Sequence, residues 1–200
     1  MSTPLLYLAS ASPRRSALLT QLGLIHRVQP VHIDESVRSG ESPADYVSRL
    51  SASKVRALQA QLSGADVCLG ADTCVALEGE IFGKPEDEAD CVRILSRLSG
   101  RVHHVHTAVT VCRGAQMRTA LSTSEVQFRE LTRAECLAYW RSGEPRDKAG
   151  AYAIQGRAAL FVRAIHGSYT GIVGLPLFET SQLLSELGLD TTVLLAAEAA

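Results

Sequence analysis

Two serines and two arginines lie within six residues near the start of the chain, in the segment SASPRR at 10–15. Ser12 followed by Pro13 is a typical helix start, because a hydroxyl can cap the first turn and proline is favoured at the first helical position. A helix N-terminus presents free N–H groups and a positive dipole end, and guanidinium groups bind phosphate oxygens. The segment predicts an oxyanion or phosphate site, although taken alone it is more often a capped helix with solvated arginines.

Two acidic positions follow predicted strands. The motif GADT at 70–73 comes after an apolar run, so Asp72 is expected to emerge at the end of a strand, where α/β proteins place ligand chemistry. Asp34-Glu35 follows a strand-like segment at 27–31. Two carboxylates from separate loops suffice for Mg²⁺, which keeps several waters and shares its shell with substrate phosphates. Taken separately, Asp72 fits equally well as a residue that bonds to local backbone, and Asp34-Glu35 is typical of a solvated turn.

Two lysines and one mixed segment are further candidates. Lys54 falls on the apolar face of a predicted helix, so it is either a snorkelling lysine or a cation aimed into a cleft. Lys84, in the motif GKP at 83–85, is presented by a rigid loop, although a surface lysine is the commoner explanation. The segment DKAGAYAIQG at 147–156 combines two charges, two glycines and an amide, which is too mixed for a core and too specific for a linker.

Three histidines, at 103, 104 and 106, are candidate metal ligands. His104 and His106 would share one face of a strand, but nothing nearby completes a tetrahedral set. Ordinary strand histidines are therefore favoured over a metal site.

Alternating helices and strands must position these residues, and the fold class is α/β with a mixed sheet. The segment TRAE at 132–135 is a capping box, and a long antiparallel pair is expected around Gly114. A tight or mobile turn is expected at 167–171. Helices are predicted at 13–22, 43–61, 87–98, 132–142 and 177–187, and strands at 5–8, 67–71, 74–77, 81–82, 102–112, 117–128 and 160–166.

Composition limits the class of protein. A chain of 200 residues, 46% hydrophobic and 20% charged, is long enough for one domain or two small lobes, and intrinsic disorder is excluded for most of it. A net charge of -1 argues against a protein that coats nucleic acid or an anionic membrane. No two of the five cysteines form a Cys-x-x-Cys motif. They are predicted to be buried apolar residues of a protein in a reducing compartment. The sequence predicts neither a signal peptide nor a membrane span, so the expected location is the cytoplasm. Residues 190–200 are expected to form a frayed tail.

These motifs occur in the order seen in Maf proteins, and the resemblance covers about residues 5–187. Maf proteins are nucleoside triphosphate pyrophosphatases, also called septum formation inhibitor proteins. The resemblance implies a fold like that of the inosine triphosphate pyrophosphatases, with an elongated mixed sheet, flanking helices and two lobes around a central cleft, in one domain spanning 1–200. It also implies a divalent cation, Mg²⁺ or Mn²⁺, and hydrolysis of a nucleotide to its monophosphate and pyrophosphate. The motifs that carry the resemblance are SASPRR at 10–15, Asp34-Glu35, Lys54, GADT at 70–73, GKP at 83–85, DKAGAY at 147–152, IQG at 154–156 and GLP at 174–176.

Individual roles follow from the same resemblance. Asp72 resembles the family's proton acceptor, which polarises water or holds the metal ion, and Glu35 resembles its partner in metal binding. The pyrimidine subgroup, acting on dTTP and UTP, resembles this chain in three positions where a sister subgroup acting on 7-methyl-GTP has Trp, Gln and Glu. Those specificity positions are Arg14, Thr73 and Gln155. The phosphate-binding set is Ser10, Ser12, Arg15, Lys54, Lys84, Asp147 and Lys148.

The resemblance implies house-cleaning of nucleotide pools, with CTP and modified pyrimidine nucleotides left open as substrates. The alternative is a nucleotide-binding regulator of cell division that does not turn nucleotide over. A purely binding protein has no need of Glu35, Asp72, Lys54 and Lys84 together, which counts against it. The expected partner is a nucleoside triphosphate, not nucleic acid or a membrane. Family members are often dimers, so a homodimer is allowed, although no sequence feature requires one.

Overall fold

Seven strands form one mixed sheet in the computed structural model, which describes residues 4–62, 66–189 and 191. The strands are β1 (Leu6–Leu8), β2 (His26–Val28), β3 (Val67–Leu77), β4 (Glu80–Phe82), β5 (Val102–Arg113), β6 (Gln116–Phe128) and β7 (Val162–His166). Their order is β2-β1-β3-β5-β6-β7, and β4 pairs with β3. β1 runs parallel to β2 and β3, whereas the other pairs are antiparallel. The predicted mixed α/β class is confirmed.

Each helix that the sequence predicts begins within one residue of its predicted start. Ser42 caps α2 by accepting the Asp45 N–H at 3.1 Å, and Thr132 and Glu135 form the predicted capping box of α4. Ser12 is the N-cap residue of α1, but its hydroxyl makes no capping hydrogen bond, so this part of the prediction was wrong. The helices are α1 (Pro13–Gln21), α2 (Pro43–Gln59), α3 (Glu88–Leu98), α4 (Arg133–Arg141), α5 (Tyr169–Val173) and α6 (Leu177–Glu186), with 3-10 turns at Glu144–Asp147, Ala149–Ala151 and Arg157–Leu160.

Two large hydrophobic clusters share the long strands and form the two lobes. Ala71 of β3 belongs to the cluster that contains α1 and α6, whereas Val75 belongs to the cluster that contains α3 and α4. Asp72 and Thr73 lie between them, and Thr107 stands opposite Thr73 on β5. The polar residues of β3 therefore fall where the strand passes from one lobe to the other.

The middle of β3 lies beside a gap in the sheet. β5 pairs with one edge of β3 from Val67 to Ala76. Since that edge is taken, β1 and β4 share the opposite edge, where β1 covers 67–69 and β4 covers 75–77. Residues 70–74 of β3 lie between these two short strands, and this gap opens the cleft. The prediction that Asp72 ends a strand was wrong: the strand continues through it, and the shortness of its neighbours exposes the site.

The segment 167–171, predicted as a tight or mobile turn, instead leads into the helix α5, which Ser168 caps by accepting the Gly171 N–H at 3.0 Å. All five cysteines are buried, as predicted. The predicted tail at 190–200 lies outside the described residues, apart from Thr191. In the described part of the chain, no helix combines the length and apolar character needed to cross a membrane.

Candidate active site

A cleft of about 560 Å³ lies between the two lobes, and the gap along β3 forms its floor. The structure brings every predicted site residue to this cleft, from both lobes. Those residues are Ser10, Ser12, Arg14, Arg15, Glu35, Lys54, Asp72, Thr73, Lys84, Asp147, Lys148 and Gln155.

Lys54 joins the two predicted metal-binding carboxylates. Its Nζ lies 2.5 Å from Oδ1 of Asp72 and 2.8 Å from Oε1 of Glu35. Lys54 and Asp72 are each only 8% exposed, whereas the Glu35 side chain is half exposed in the cleft. Burial acts to raise the pKa of Glu35, but the hydrogen bond and charge of Lys54 outweigh burial and lower it. The lysine is therefore a cation aimed into the cleft, not a snorkelling surface residue.

Gly70 lets α2 approach β3 closely enough for that contact. A β-carbon at Gly70 would lie 2.9 Å from the carbonyl oxygen of Ser51 and 2.9 Å from Cγ2 of Val55, and 3.4 Å from Cβ of Lys54. Since ordinary carbon contacts begin near 3.4 Å, only glycine fits here without moving α2. The glycine of the GADT motif thus sets the reach of Lys54.

Arg15 is locked in place on the other side of β3. Its guanidinium donates to Oγ of Ser10 at 3.0 Å, to Oγ1 of Thr73 at 3.3 Å and to the carbonyl of Gly174 at 2.8 Å. Thr107 donates to the same Thr73 oxygen at 3.0 Å. Burial lowers the pKa of Arg15, with the charge of Asp72 acting in the opposite direction. An arginine stays protonated in proteins, so this group is a fixed, partly desolvated cation.

The loop at 147–152 closes the cleft from the second lobe. Asp147 contacts Nζ of Lys148 and also accepts from Arg14 at 3.4 Å, across the cleft. Burial acts to raise the pKa of Asp147, but its hydrogen bond with Lys148 and the charges of Lys148 and Arg14 lower it. Gly150 has a left-handed backbone (φ +69°), packs against Val75 and donates its N–H to the carbonyl of Gly83 at 3.0 Å. The loop that carries Lys148 is therefore tied to the loop that carries Lys84.

Two residues that hold the site together were not predicted from the sequence: Tyr46, which lines the cleft, and the buried Thr107 behind it. The Tyr46 hydroxyl donates to the backbone carbonyl of Glu35 at 3.0 Å and fixes that acidic loop against α2. Burial, and then the charges of Asp72 and Glu35, raise the pKa of Tyr46 to about 12, so the hydroxyl stays protonated. The signal was available, because Tyr46 lies two helical turns before Lys54. Thr107, which holds Thr73, carries no such signal.

The donor set fits a divalent cation only in a limited way. Among the described residues, no group of three or more His, Cys, Asp or Glu side chains is arranged to hold a metal ion. Asp72 and Glu35 offer two carboxylates, which suits Mg²⁺ when water and substrate phosphate complete its shell.

The three histidines of β5 have partners other than a metal ion. His104 and His106 stack with ring centroids 5.9 Å apart and contact Glu125 and Thr123, respectively. The buried His103 bonds to the Tyr152 hydroxyl at 2.9 Å.

The sequence is similar to a known protein family and to named relatives. The family model described as Maf-like protein matches residues 5–187. The dTTP/UTP pyrophosphatase of Saccharophagus degradans is 52% identical over 182 residues, covering 90% of this chain and 87% of that protein. The dTTP/UTP pyrophosphatase of Methylococcus capsulatus is 50% identical over 194 residues, covering 97% and 96%.

A solved structure supports the fold alone. The HAM1 protein from Coxiella burnetii superposes with a TM-score of 0.50 at 17% identity, covering 92% of this chain and 100% of that one. The match to the family model over residues 5–187, together with relatives about half identical over most of the sequence, establishes that the chain belongs to the Maf-like protein family.

Proposed function

We propose that the protein hydrolyses dTTP and UTP to the nucleoside monophosphate and pyrophosphate. One observation carries the proposal: Lys54 joins Asp72 and Glu35 at the floor of a cleft that four further cationic side chains line. Those further cations are Arg14, Arg15, Lys84 and Lys148. The name of the relatives at 50–52% identity supports the same reaction. A regulator that only binds nucleotide would not need the buried carboxylate–lysine pair.

The cations of the cleft suit the negative charge that develops on the phosphoryl oxygens during the reaction. Attack by water on the α-phosphorus forms a new O–P bond and breaks the P–O bond to the leaving pyrophosphate, while charge spreads over the phosphoryl oxygens. Arg15, Lys54, Lys84 and Lys148 line the space where those oxygens would lie, and fixed cations in a partly desolvated cleft stabilise such charge strongly. Ser10 and Ser12 add polar groups at the N-terminus of α1.

Asp72 is the proposed proton acceptor. It is buried, and its Oδ1 is held by Lys54, so the carboxylate is fixed on the cleft floor where it can take the proton of the attacking water. Asp72 and Glu35 are also the residues proposed to hold Mg²⁺ or Mn²⁺. When bound, such a cation would supply further electrostatic stabilisation of the phosphoryl oxygens.

Three residues are proposed to select the base. Gln155 lies on the turn at 154–156 and is exposed at the cleft, and its amide offers both a donor and an acceptor to the edge of uracil or thymine. Arg14 and Thr73 stand with it as specificity positions, although in this structure Arg14 contacts Asp147 and Thr73 accepts from Arg15.

Residues 1–200 are proposed to form one Maf-like domain that works in the cytoplasm, in keeping with its five buried free thiols. A nucleoside triphosphate is the proposed partner, and the net charge of -1 disfavours nucleic acid and anionic membranes. Whether the enzyme acts as a homodimer is tested by sedimentation of the purified protein.

Chromatography of the products from a panel of nucleoside triphosphates, with and without Mg²⁺, tests the function. We expect dTMP and UMP with pyrophosphate, and loss of both products when a chelator removes the metal. Faster turnover of a modified pyrimidine nucleotide would identify that class as the main substrate. Binding of dTTP with no product under any metal condition would favour the regulator and overturn the proposal.

A further inference from the structure

A carboxylate outside the cleft holds the turn that carries Gln155. Oε2 of Glu144 accepts the backbone N–H of Arg157 at 3.0 Å, and Oε1 accepts the N–H of Ala158 at 3.4 Å. The Tyr139 hydroxyl donates to Oε1 of Glu144 at 2.8 Å and accepts the N–H of Ala153 at 3.1 Å. Three backbone N–H groups on both sides of Gln155 are therefore bound by this one pair of side chains, which we call the Glu144–Tyr139 clamp.

The turn is also shaped to admit this carboxylate. A β-carbon at Gly156 would lie 2.2 Å from Oε1 of Glu144, so any other residue there would displace the carboxylate. Gly156 follows Gln155 directly, and the glycine of the IQG motif thus brings the backbone of the turn against Glu144. Neither Glu144 nor Tyr139 is among the residues lining the cleft, so they act on a ligand only through the turn.

The charge state of the clamp favours tight binding of the turn. Burial acts to raise the pKa of Glu144, but the N–H of Arg157, the Tyr139 hydroxyl and the N–H of Ala158 outweigh it and lower the pKa. The carboxylate is thus ionised at neutral pH, and hydrogen bonds to an ionised acceptor are about twice as strong as neutral ones. Burial, together with the hydrogen bond to Glu144, raises the pKa of Tyr139, so its hydroxyl remains a donor.

We infer that Glu144 and Tyr139 are positioning residues for pyrimidine recognition, because they hold the backbone of the 153–158 turn and thereby aim the Gln155 amide into the cleft. The inference rests on the proposed function of Gln155. The proposed proton acceptor Asp72 and its partner Lys54 lie on other elements, β3 and α2. Lys148 follows the 3-10 turn of Glu144, but its loop is held separately by the Gly150 N–H, which donates to the Gly83 carbonyl at 3.0 Å. Loosening the clamp should therefore weaken nucleotide binding and leave the chemical step unchanged.

Two variants and a matched control test the inference. Glu144→Gln leaves one acceptor oxygen for three donors, and Tyr139→Phe leaves the Ala153 N–H without its acceptor. The control is Glu135→Gln, another carboxylate that accepts a backbone N–H, from Thr132, in the capping box of α4. Kinetics with dTTP give KM and kcat separately, and hydrogen exchange of the 153–158 amides reports on the turn without any need for activity.

We expect both clamp variants to raise the KM for dTTP by about tenfold with kcat changed by less than about twofold. The reason is that a loosened turn displaces the Gln155 amide from the base, which weakens nucleotide binding but not the chemical step. Gln155→Ala should raise KM by a similar factor, and combining it with Glu144→Gln should add little. Exchange of the 153–158 amides should accelerate in both clamp variants. Glu135→Gln should change neither KM nor that exchange.

Contrary results are separable. If Gln155→Ala raises KM while the clamp variants do not, the inference is wrong and the proposed function stands. Unchanged exchange in the clamp variants overturns the inference whatever the activity. If the wild type yields no dTMP, the proposed function fails, and accelerated exchange confined to the clamp variants still supports a turn held by Glu144.

Discussion

The close approach at Gly70 makes Gly70→Ala an informative perturbation. The added methyl group would lie 2.9 Å from the Ser51 carbonyl oxygen, which belongs to the backbone of α2 and cannot rotate away. Reaching an ordinary contact of 3.4 Å requires α2 to retreat by about 0.5 Å, and Lys54 lies on the retreating face. Overpacking of this kind costs about 1–3 kcal/mol of unfolding free energy, or a Tm lower by about 2–12 °C for a chain of this size. Separating Lys54 from Asp72 should also lower kcat/KM by about tenfold or more.

Thermal unfolding and dTTP kinetics together decide the outcome. Gly83→Ala is the control for stability, because nothing lies within 4 Å of the methyl group that it adds. Its Tm should stay equal or rise slightly, since alanine restricts the unfolded chain. A Gly70→Ala protein with the Tm and kcat/KM of the wild type would refute the claim that this glycine sets the distance between Lys54 and Asp72.

Three further predictions concern single side chains. Asp72→Asn should lower kcat by about 10²-fold or more without unfolding the protein, and activity close to wild type would move the proton acceptor elsewhere, first to Glu35. Gln155→Glu should cost about 1–3 kcal/mol in kcat/KM for dTTP and UTP, because its carboxylate faces the O4 acceptor with no donor; an unchanged ranking against CTP and 7-methyl-GTP would show that Gln155 does not contact the base. Burial lowers the pKa of His103 from 6.5 to about 3. Between these two pH values the unfolded chain binds a proton that the folded chain does not, so the free energy of unfolding decreases as the pH is lowered through this range. His103→Gln should flatten this fall in the Tm, and an equally steep fall in the variant would contradict the assignment.

Local signals in the sequence predicted the helix starts well. The capping box formed by Thr132 and Glu135, and the Ser42-Pro43 start of α2, depend on residues within one helical turn of each other. Such contacts are fixed by spacing along the chain, so the sequence carries them directly.

The geometry of the site depends on contacts that spacing does not reveal. Asp72 was predicted to end a strand because its motif follows an apolar run, whereas the structure keeps Asp72 and Thr73 inside β3 and leaves the neighbouring edge open. Arg15 bonds to Gly174, 159 residues away, and Thr107 holds Thr73 from the neighbouring strand β5. The resemblance to Maf proteins named residues that all line one cleft, but only tertiary packing determines which of them touch.

Turnover of dTTP in water enriched in ¹⁸O tests the central claim most directly, because the label marks the phosphorus atom that water attacks. The proposed reaction places ¹⁸O in the phosphate of dTMP and leaves the pyrophosphate unlabelled. Label in pyrophosphate, or release of dTDP with labelled orthophosphate, would mean attack at the β- or γ-phosphorus and would contradict the proposed pyrophosphohydrolysis.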